Sequence, residues 1–236
     1  MRKINIAIDG TAGSGKSTVS KLLASDLGMC CLSAGDLYRT LTTKCIQKGV
    51  NFSNINQILQ VLEDVQIEIK YKDNIPQIFM DDEFVDIDNL HAEEISLAVP
   101  FVAKLPDIRK KVKCLQKDLA SKFDMVMEGR DIGTVVLPDA DIKLFLTASP
   151  KVRADRRFRE LKNKGESVSR DEILKDIIER DKIDSQRGIS PLKPARDAII
   201  VDTSNMNPLE TTKYVYNLVQ QRMANLDNAN NLVKMN

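Results

Sequence analysis

The chain has 236 residues, enough for one large α/β unit with insertions, and its 35 basic and 34 acidic residues nearly cancel. That balance excludes a protein held on duplex nucleic acid by a net positive field, so local charge clusters carry more information than the total. Four cysteines (Cys30, Cys31, Cys45 and Cys114) without C-x-x-C spacing, beside the single histidine His91, exclude a zinc site and point to reduced thiols in a cytoplasmic protein.

Met1 to Ile8 is too short an apolar run for a signal peptide, and no stretch approaches the length of a bilayer span, so no membrane association is expected. Lys3 to Asp9 runs apolar and β-branched, as a central parallel strand should. It leads straight into Gly10-Thr11-Ala12-Gly13-Ser14-Gly15-Lys16-Ser17-Thr18, which has the form G-x-x-x-x-G-K-[ST] of a phosphate-binding P-loop. Glycines there let successive backbone N–H groups turn toward phosphate oxygens, at the positive end of the helix that follows. In this pattern Lys16 reaches the β- and γ-phosphates of ATP, and the Ser17 hydroxyl ligates a Mg²⁺ carried with them.

From Lys16 the apolar residues Val19, Leu22, Leu23 and Leu27 recur at helical spacing, and Gly28 stands where the helix should stop. A short strand, Met29 to Leu32, comes next, then a second helix opening at Ser33-Ala34-Gly35-Asp36-Leu37-Tyr38-Arg39. A helix N-terminus beside Arg39 is either a capped surface helix or a second place to hold an anion. Ser53 begins a helix through Leu62. Val65 to Tyr71, Gln77 to Met80 and Glu83 to Val85 then read as short antiparallel strands inside an insertion spanning residues 65–88, with Asp73-Asn74 as a turn.

Helices are expected over Asn89 to Val102, with His91 on it and without a catalytic role, and over Pro106 to Lys122. Phe123 to Met127 reads as a buried strand that delivers Glu128-Gly129-Arg130-Asp131 to the sheet edge where ligands bind. An acidic residue at that place can orient the water shell of a bound metal, which makes Glu128 a candidate metal residue acting through water. After a strand from Ile142 to Thr147, the segment from Pro150 crowds Arg153, Arg156, Arg157 and Arg159 together. Such a run is either a solvated helix face or an anion site, since like charges at i,i+3 and i,i+4 repel unless something negative lies between them. A polar helix from Asp171 to Arg187 sets Arg180, Asp184 and Arg187 on one face. Ala198 to Val201 gives a last strand, Pro208 to Met223 a closing helix, and Asn225 to Asn236 an Asn-rich frayed tail. The alternation predicts a doubly wound parallel sheet with helices on both faces.

With these residues in view the chain resembles the bacterial cytidylate kinases over nearly its whole length. Glu128-Gly129-Arg130-Asp131-Ile132-Gly133-Thr134-Val135-Val136-Leu137-Pro138-Asp139-Ala140 is similar to that family's D-G-R-D-x-G-T-V-V-F-P-x-A signature. Phe145 to Ser149, the R-A-x-R-R run at Arg153 to Arg157, Arg180-Asp181 with Asp184 and Arg187, and Ser190-Pro191-Leu192 support it. The resemblance implies transfer of the γ-phosphoryl of ATP to CMP or dCMP by a monomer, with Mg²⁺ as cofactor and no nucleic-acid partner. It implies a P-loop core over residues 1–32 and 105–224, a monophosphate-binding domain over 33–104, and a lid over about 150–168. On matching positions, Arg39, Arg130 and Arg180 would hold the α-phosphate of CMP, and Arg109 and Arg187 would face the cytosine. Asp184 would take the sugar hydroxyls, while Gly35 and Asp131 would complete the acceptor site. Gly10 to Thr18 would hold ATP, and Lys16, Arg130, Arg180, Arg153 and Arg157 would be the catalytic cations. Two positions depart from the family. Ala34 lacks the hydroxyl usual there, and Pro100 aligns with a serine that commonly contacts the base. Gly35-Asp36-Leu37 looks more like an adenylate kinase, which makes an AMP or UMP kinase the nearest alternative. A guanine-nucleotide switch would need Asn-Lys-x-Asp, which Asn163-Lys164-Gly165-Glu166 only approximates.

Overall fold

The structure, a computed structural model, describes residues 3–163 and 165–234, with side chains as far as Leu226. Its strands in chain order are β1 (Asn5–Gly10), β2 (Cys30–Ser33), β3 (Ile67–Lys72), β4 (Ile75–Met80), β5 (Glu83–Val85), β6 (Met125–Gly129), β7 (Ile142–Thr147) and β8 (Ile199–Asp202). The helices are α1 (Lys16–Leu27), α2 (Ala34–Gln47), α3 (Ile55–Leu62), α4 (Glu93–Ala103), α5 (Pro106–Lys122), α6 (Pro150–Asn163), α7 (Arg170–Gln186) and α8 (Pro208–Lys234). Five strands form a parallel sheet in the order β2-β6-β1-β7-β8, with β1 paired to β6 on one side and β7 on the other. The doubly wound architecture expected from the alternation is therefore present.

Residue alternation along the strands decides which helix each face receives. Ile6, Ile8, Val126 and Leu144 pack with Val19 and Leu23 of α1 and with Val215 and Val219 of α8. Ala7, Leu32, Met125 and Met127 point the other way, toward Leu37 and Leu41 of α2 and Ile108 and Val112 of α5. Both faces are covered, and the strand ends carry the polar residues.

The antiparallel insertion is a three-stranded sheet, β3-β4-β5, closed by two-residue turns. Asp73 and Asn74 (φ 53° and 62°) and Asp81 and Asp82 (φ 52° and 66°) hold the left-handed backbone that such turns need. The insertion is tied down at both ends. Asn74 Nδ2 donates to Gly28 O at 3.0 Å, and Lys44 Nζ meets Asp81 Oδ2 at 2.6 Å.

Three elements differ from expectation. The helix foreseen from Asn89 is split into a 3-10 turn (Asn89–His91) and α4, which leaves His91 Nε2 3.5 Å from Asp36 Oδ1. Helix α7 ends at Gln186, so Arg187 stands in extended backbone beyond it and not on the helical face shared by Arg180 and Asp184. The closing helix continues past Met223 to Lys234, where a frayed tail was expected, and Leu226 as well as Met223 packs against the α1–α8 core. Met235 and Asn236 of that tail lie outside the described residues.

Candidate active site

Gly10, the last residue of β1, is the tightest point of the P-loop. A Cβ there would lie 1.9 Å from the Leu146 carbonyl oxygen of β7, so no other residue lets the loop leave the sheet at this place. The loop then turns through Gly15 (φ 89°), which caps α1 and aims that helix's N-terminus into the site. Lys16 is 4% exposed, and its Nζ donates to Thr11 O at 2.9 Å, so the ammonium folds back over the loop. Burial, with Arg130 nearby, pushes the Lys16 pKa down to about 7, against the pull of Glu128 and Asp9.

Glu128, the penultimate residue of the adjacent strand β6, accepts the Ser17 hydroxyl at 2.9 Å. Burial opposes its charge, but Lys16, the Ser33 hydroxyl, Arg130 and the Ser17 hydroxyl outweigh that and hold its pKa below the ordinary carboxylate value. Glu128 is therefore an anion facing a hydroxyl and an ammonium at the mouth of the loop. Among the described residues no group of three or more His, Cys, Asp and Glu gathers to hold a metal. A cation there would draw most of its ligands from phosphate and water, with Ser17 and Glu128 as hard oxygen donors suited to Mg²⁺.

Around this loop the structure converges arginines from several elements. Arg180 on α7 is held down to about 10 by burial and by Arg130, with Asp184 opposing and Arg39 and Arg157 adding to the repulsion. Arg39 on α2 is likewise lowered by burial, with Asp36 and Glu128 opposing. Gly35 leaves room for it, since a Cβ there would lie 2.9 Å from Arg39 Nη1. Arg130 Nε donates to Asp184 Oδ2 at 2.9 Å, which joins the end of β6 to α7.

A second, more buried knot holds Arg109, Asp131 and Arg187. Arg109 Nη2 donates to Asp131 Oδ2 at 2.5 Å and its Nη1 to Ala103 O at 3.0 Å. Arg187 Nη2 lies 3.7 Å from Asp131 Oδ1, and its Nε donates to Ser190 O at 2.5 Å.

The arginines of α6 divide. Arg157 is partly exposed and pairs with Glu160 at 2.7 Å, within electrostatic reach of Arg39 and Arg180. Arg153, expected among the catalytic cations, is 2% exposed and is bound to protein groups behind the loop. Its guanidinium donates to the Ala148 and Ala12 carbonyls and to both carboxylate oxygens of Asp181. Sequence reasoning also missed Asp9, whose two carboxylate oxygens accept the Ile132 and Gly133 amides at 2.8 Å each. Those amides begin a π-helical turn (Ile132–Val136) just after Arg130 and Asp131, so the strand that launches the P-loop also fixes the arginine-bearing segment. The only local signal was a buried-strand position occupied by an acid.

A buried cluster of guanidinium and ammonium groups is costly until polyanions enter it, and a loop of this form takes them as nucleotide phosphates. By fold and site the protein is a P-loop phosphotransferase. Comparison with known sequences narrows the class. The profile of the family described as cytidylate kinase matches residues 6–221. A cytidylate kinase of Caldicellulosiruptor saccharolyticus is 40% identical over 225 residues, covering 95% of this chain and 99% of the relative. One from Pelotomaculum thermopropionicum is 45% identical over 208 residues (87% and 91% covered), and one from Acholeplasma laidlawii is 41% identical over 220 (93% and 96%). The chain belongs to the cytidylate kinase family.

Proposed function

We propose that the protein transfers the γ-phosphoryl group of ATP to CMP or dCMP, giving ADP with CDP or dCDP, as a monomeric cytoplasmic enzyme of pyrimidine nucleotide metabolism. The observation that carries this reading is the convergence of the P-loop with the acceptor-side arginines. Glu128 accepts the Ser17 hydroxyl of the P-loop at 2.9 Å, and Arg130, two residues on, donates to Asp184 of α7 at 2.9 Å, so donor loop and acceptor side meet at one sheet edge.

Gly10 to Thr18 bind the phosphates of ATP, and Lys16 stays with the γ-phosphoryl as it leaves ADP. Arg39, Arg130 and Arg180 hold the acceptor's phosphate. Two negatively charged reactants thus approach in line, with their repulsion compensated by cations already in position. Arg109, Asp131 and Arg187 face the base, Asp184 takes the sugar hydroxyls, and Gly35 leaves room for Arg39. Mg²⁺, held by Ser17 and through water by Glu128, would neutralise charge on the phosphate oxygens. Residues 33–104 form the acceptor-binding unit. The segment 150–168 is the lid, which brings Arg157 over the reacting group and excludes water that would otherwise take the phosphoryl. No helix among the described residues is long and apolar enough to cross a membrane.

The test is coupled ADP release with ATP and Mg²⁺ against CMP, dCMP, UMP, AMP and GMP. Highest kcat/KM with CMP or dCMP is expected. A clear preference for AMP or GMP would overturn the acceptor assignment.

A further inference from the structure

A loop whose amides face inward to phosphate must turn its carbonyls outward, and buried carbonyls need donors. Here those donors come from the first turns of α6. Arg153 Nη1 donates to Ala12 O at 3.0 Å, and its Nε donates to Ala148 O at 2.8 Å. Three residues on, Arg156 donates to the Thr203 hydroxyl at 3.0 Å and also to the Thr203 and Met206 carbonyls. The Thr203 hydroxyl lies within donating distance of Ser14 O, at 3.2 Å, and of Thr147 O, at 3.1 Å. Positions i and i+3 of one helix thus back two outward carbonyls of the loop, Ala12 directly and Ser14 through the Thr203 hydroxyl. The fit is close, since a Cβ on Gly13 would lie 3.4 Å from Arg153 Cβ.

The charge of Arg153 is met by Asp181 on α7. Nη1 and Nη2 reach the two carboxylate oxygens at 3.1 and 2.5 Å, a bidentate pair with the arginine side chain 2% and the aspartate 23% exposed. A fork of this kind fixes direction as well as distance. Asp181 directly follows Arg180, which the proposed reading places on the acceptor phosphate. One step along α7 therefore separates the acceptor-side cation from the group that anchors the back of the donor loop.

We propose that Arg153 and Asp181 are positioning residues, a clamp that holds the P-loop's outward carbonyls so that its amides stay aimed at ATP, and not lid groups that touch the nucleotide. The first turn of α6 is then the anchored root of the 150–168 segment and a fixed part of the donor site. A cation on the Ala12 carbonyl also polarises that peptide and makes its N–H a stronger donor to phosphate. The roles assigned to ATP and CMP rest on the proposed function, but the clamp concerns the loop alone.

The test uses the full chain, with equilibrium binding of an ATP analogue bridged by nitrogen between its β- and γ-phosphates, and of CMP, each measured alone. For Asp181→Asn the analogue's affinity should fall about tenfold while that for CMP stays within about twofold, as for a lost hydrogen bond to a charged group that serves one ligand only. Arg153→Lys keeps the charge but not the fork, and should fall between the wild type and Arg153→Met. Thr203→Val, which removes the hydroxyl near Ser14, gives an independent arm and should show the same ATP-selective loss to a smaller degree. Equal loss for both ligands, or unchanged analogue affinity in a folded Asp181→Asn or Thr203→Val protein, would overturn the clamp. If the wild type binds the analogue but phosphorylates no pyrimidine monophosphate, the functional reading fails while the clamp is still tested by binding.

Discussion

Arg109 Nη2 and Asp131 Oδ2 meet at 2.5 Å with both side chains about nine-tenths buried, and Arg187 approaches the other oxygen of the same carboxylate. One aspartate therefore balances two guanidinium groups. Asp131→Asn leaves Arg109 without its counter-charge and Arg187 with Asp184 alone, 3.9 Å away, and should lower unfolding free energy by roughly 3 kcal/mol. Chemical denaturation checks this. Arg109→Met combined with Asp131→Asn should recover part of the loss, because it removes the stranded charge.

Lys16 and Arg180 should separate chemistry from acceptor capture. Lys16→Ala removes a charge needed most as the γ-phosphoryl departs, so kcat should fall by about 10²-fold or more while CMP binding changes little. Arg180→Ala should instead lower kcat/KM for CMP by an amount equivalent to about 2 kcal/mol with ATP binding nearly unchanged. Steady-state kinetics with each substrate varied, joined to binding of each alone, distinguishes the two patterns. The reverse assignment would show weak ATP binding in Arg180→Ala.

Asp36 gives a pH prediction with a definite sign. Burial, reinforced by Glu128, raises its pKa to about 6, against Arg39, Lys21 and the Ser33 hydroxyl, and His91 Nε2 stands 3.5 Å away. A carboxyl with a raised folded-state pKa contributes stability that is fully present below its unfolded value and is lost as pH rises through the folded one. Asp36→Asn keeps the shape without the charge. It should raise stability by on the order of 1–2 kcal/mol near pH 8, a gain that fades toward pH 4. Melting curves at the two ends of that range measure it, and a gain that grows on acidification would contradict the assignment.

Pro100 lies inside α4, exposed, where it supplies neither a backbone N–H nor a hydroxyl, three residues before the Ala103 carbonyl that anchors Arg109. Pro100→Ser restores one donor and acceptor beside the proposed base site. A hydrogen bond of this kind contributes about 0.5–1.5 kcal/mol net, so KM for CMP should fall about two- to twelvefold relative to UMP. An unchanged ratio in a folded variant would place residue 100 away from the base.

The P-loop, the parallel strands and the hairpin insertion are legible in the chain's own order of residues, because each is encoded by neighbours. The G-x-x-x-x-G-K-S spacing of Gly10 to Ser17, the alternation of Ile6, Ala7 and Ile8, and the Asp73-Asn74 turn are all local patterns with local physical causes. Helix limits are less legible where packing overrides composition, as at Leu226, which packs on the core beyond the Met223 limit that the sequence suggests. Which charge meets which partner follows only from how the elements pack. Arg153 and Arg157 sit one helical turn apart in the same arginine run, yet one is buried against Asp181 and the Ala12 carbonyl while the other faces the site's rim. Nothing in the run distinguishes them. Their fates are set by groups 28 and 141 residues away from Arg153 in sequence, and those groups come within reach only when α6 packs against the P-loop and α7. Asp9 is the same case, since its partners Ile132 and Gly133 lie 123 and 124 residues on. A periodic pattern says which face of an element is buried, but hydrogen bonds form at about 3 Å, and only the assembled sheet and helices fix positions to that distance.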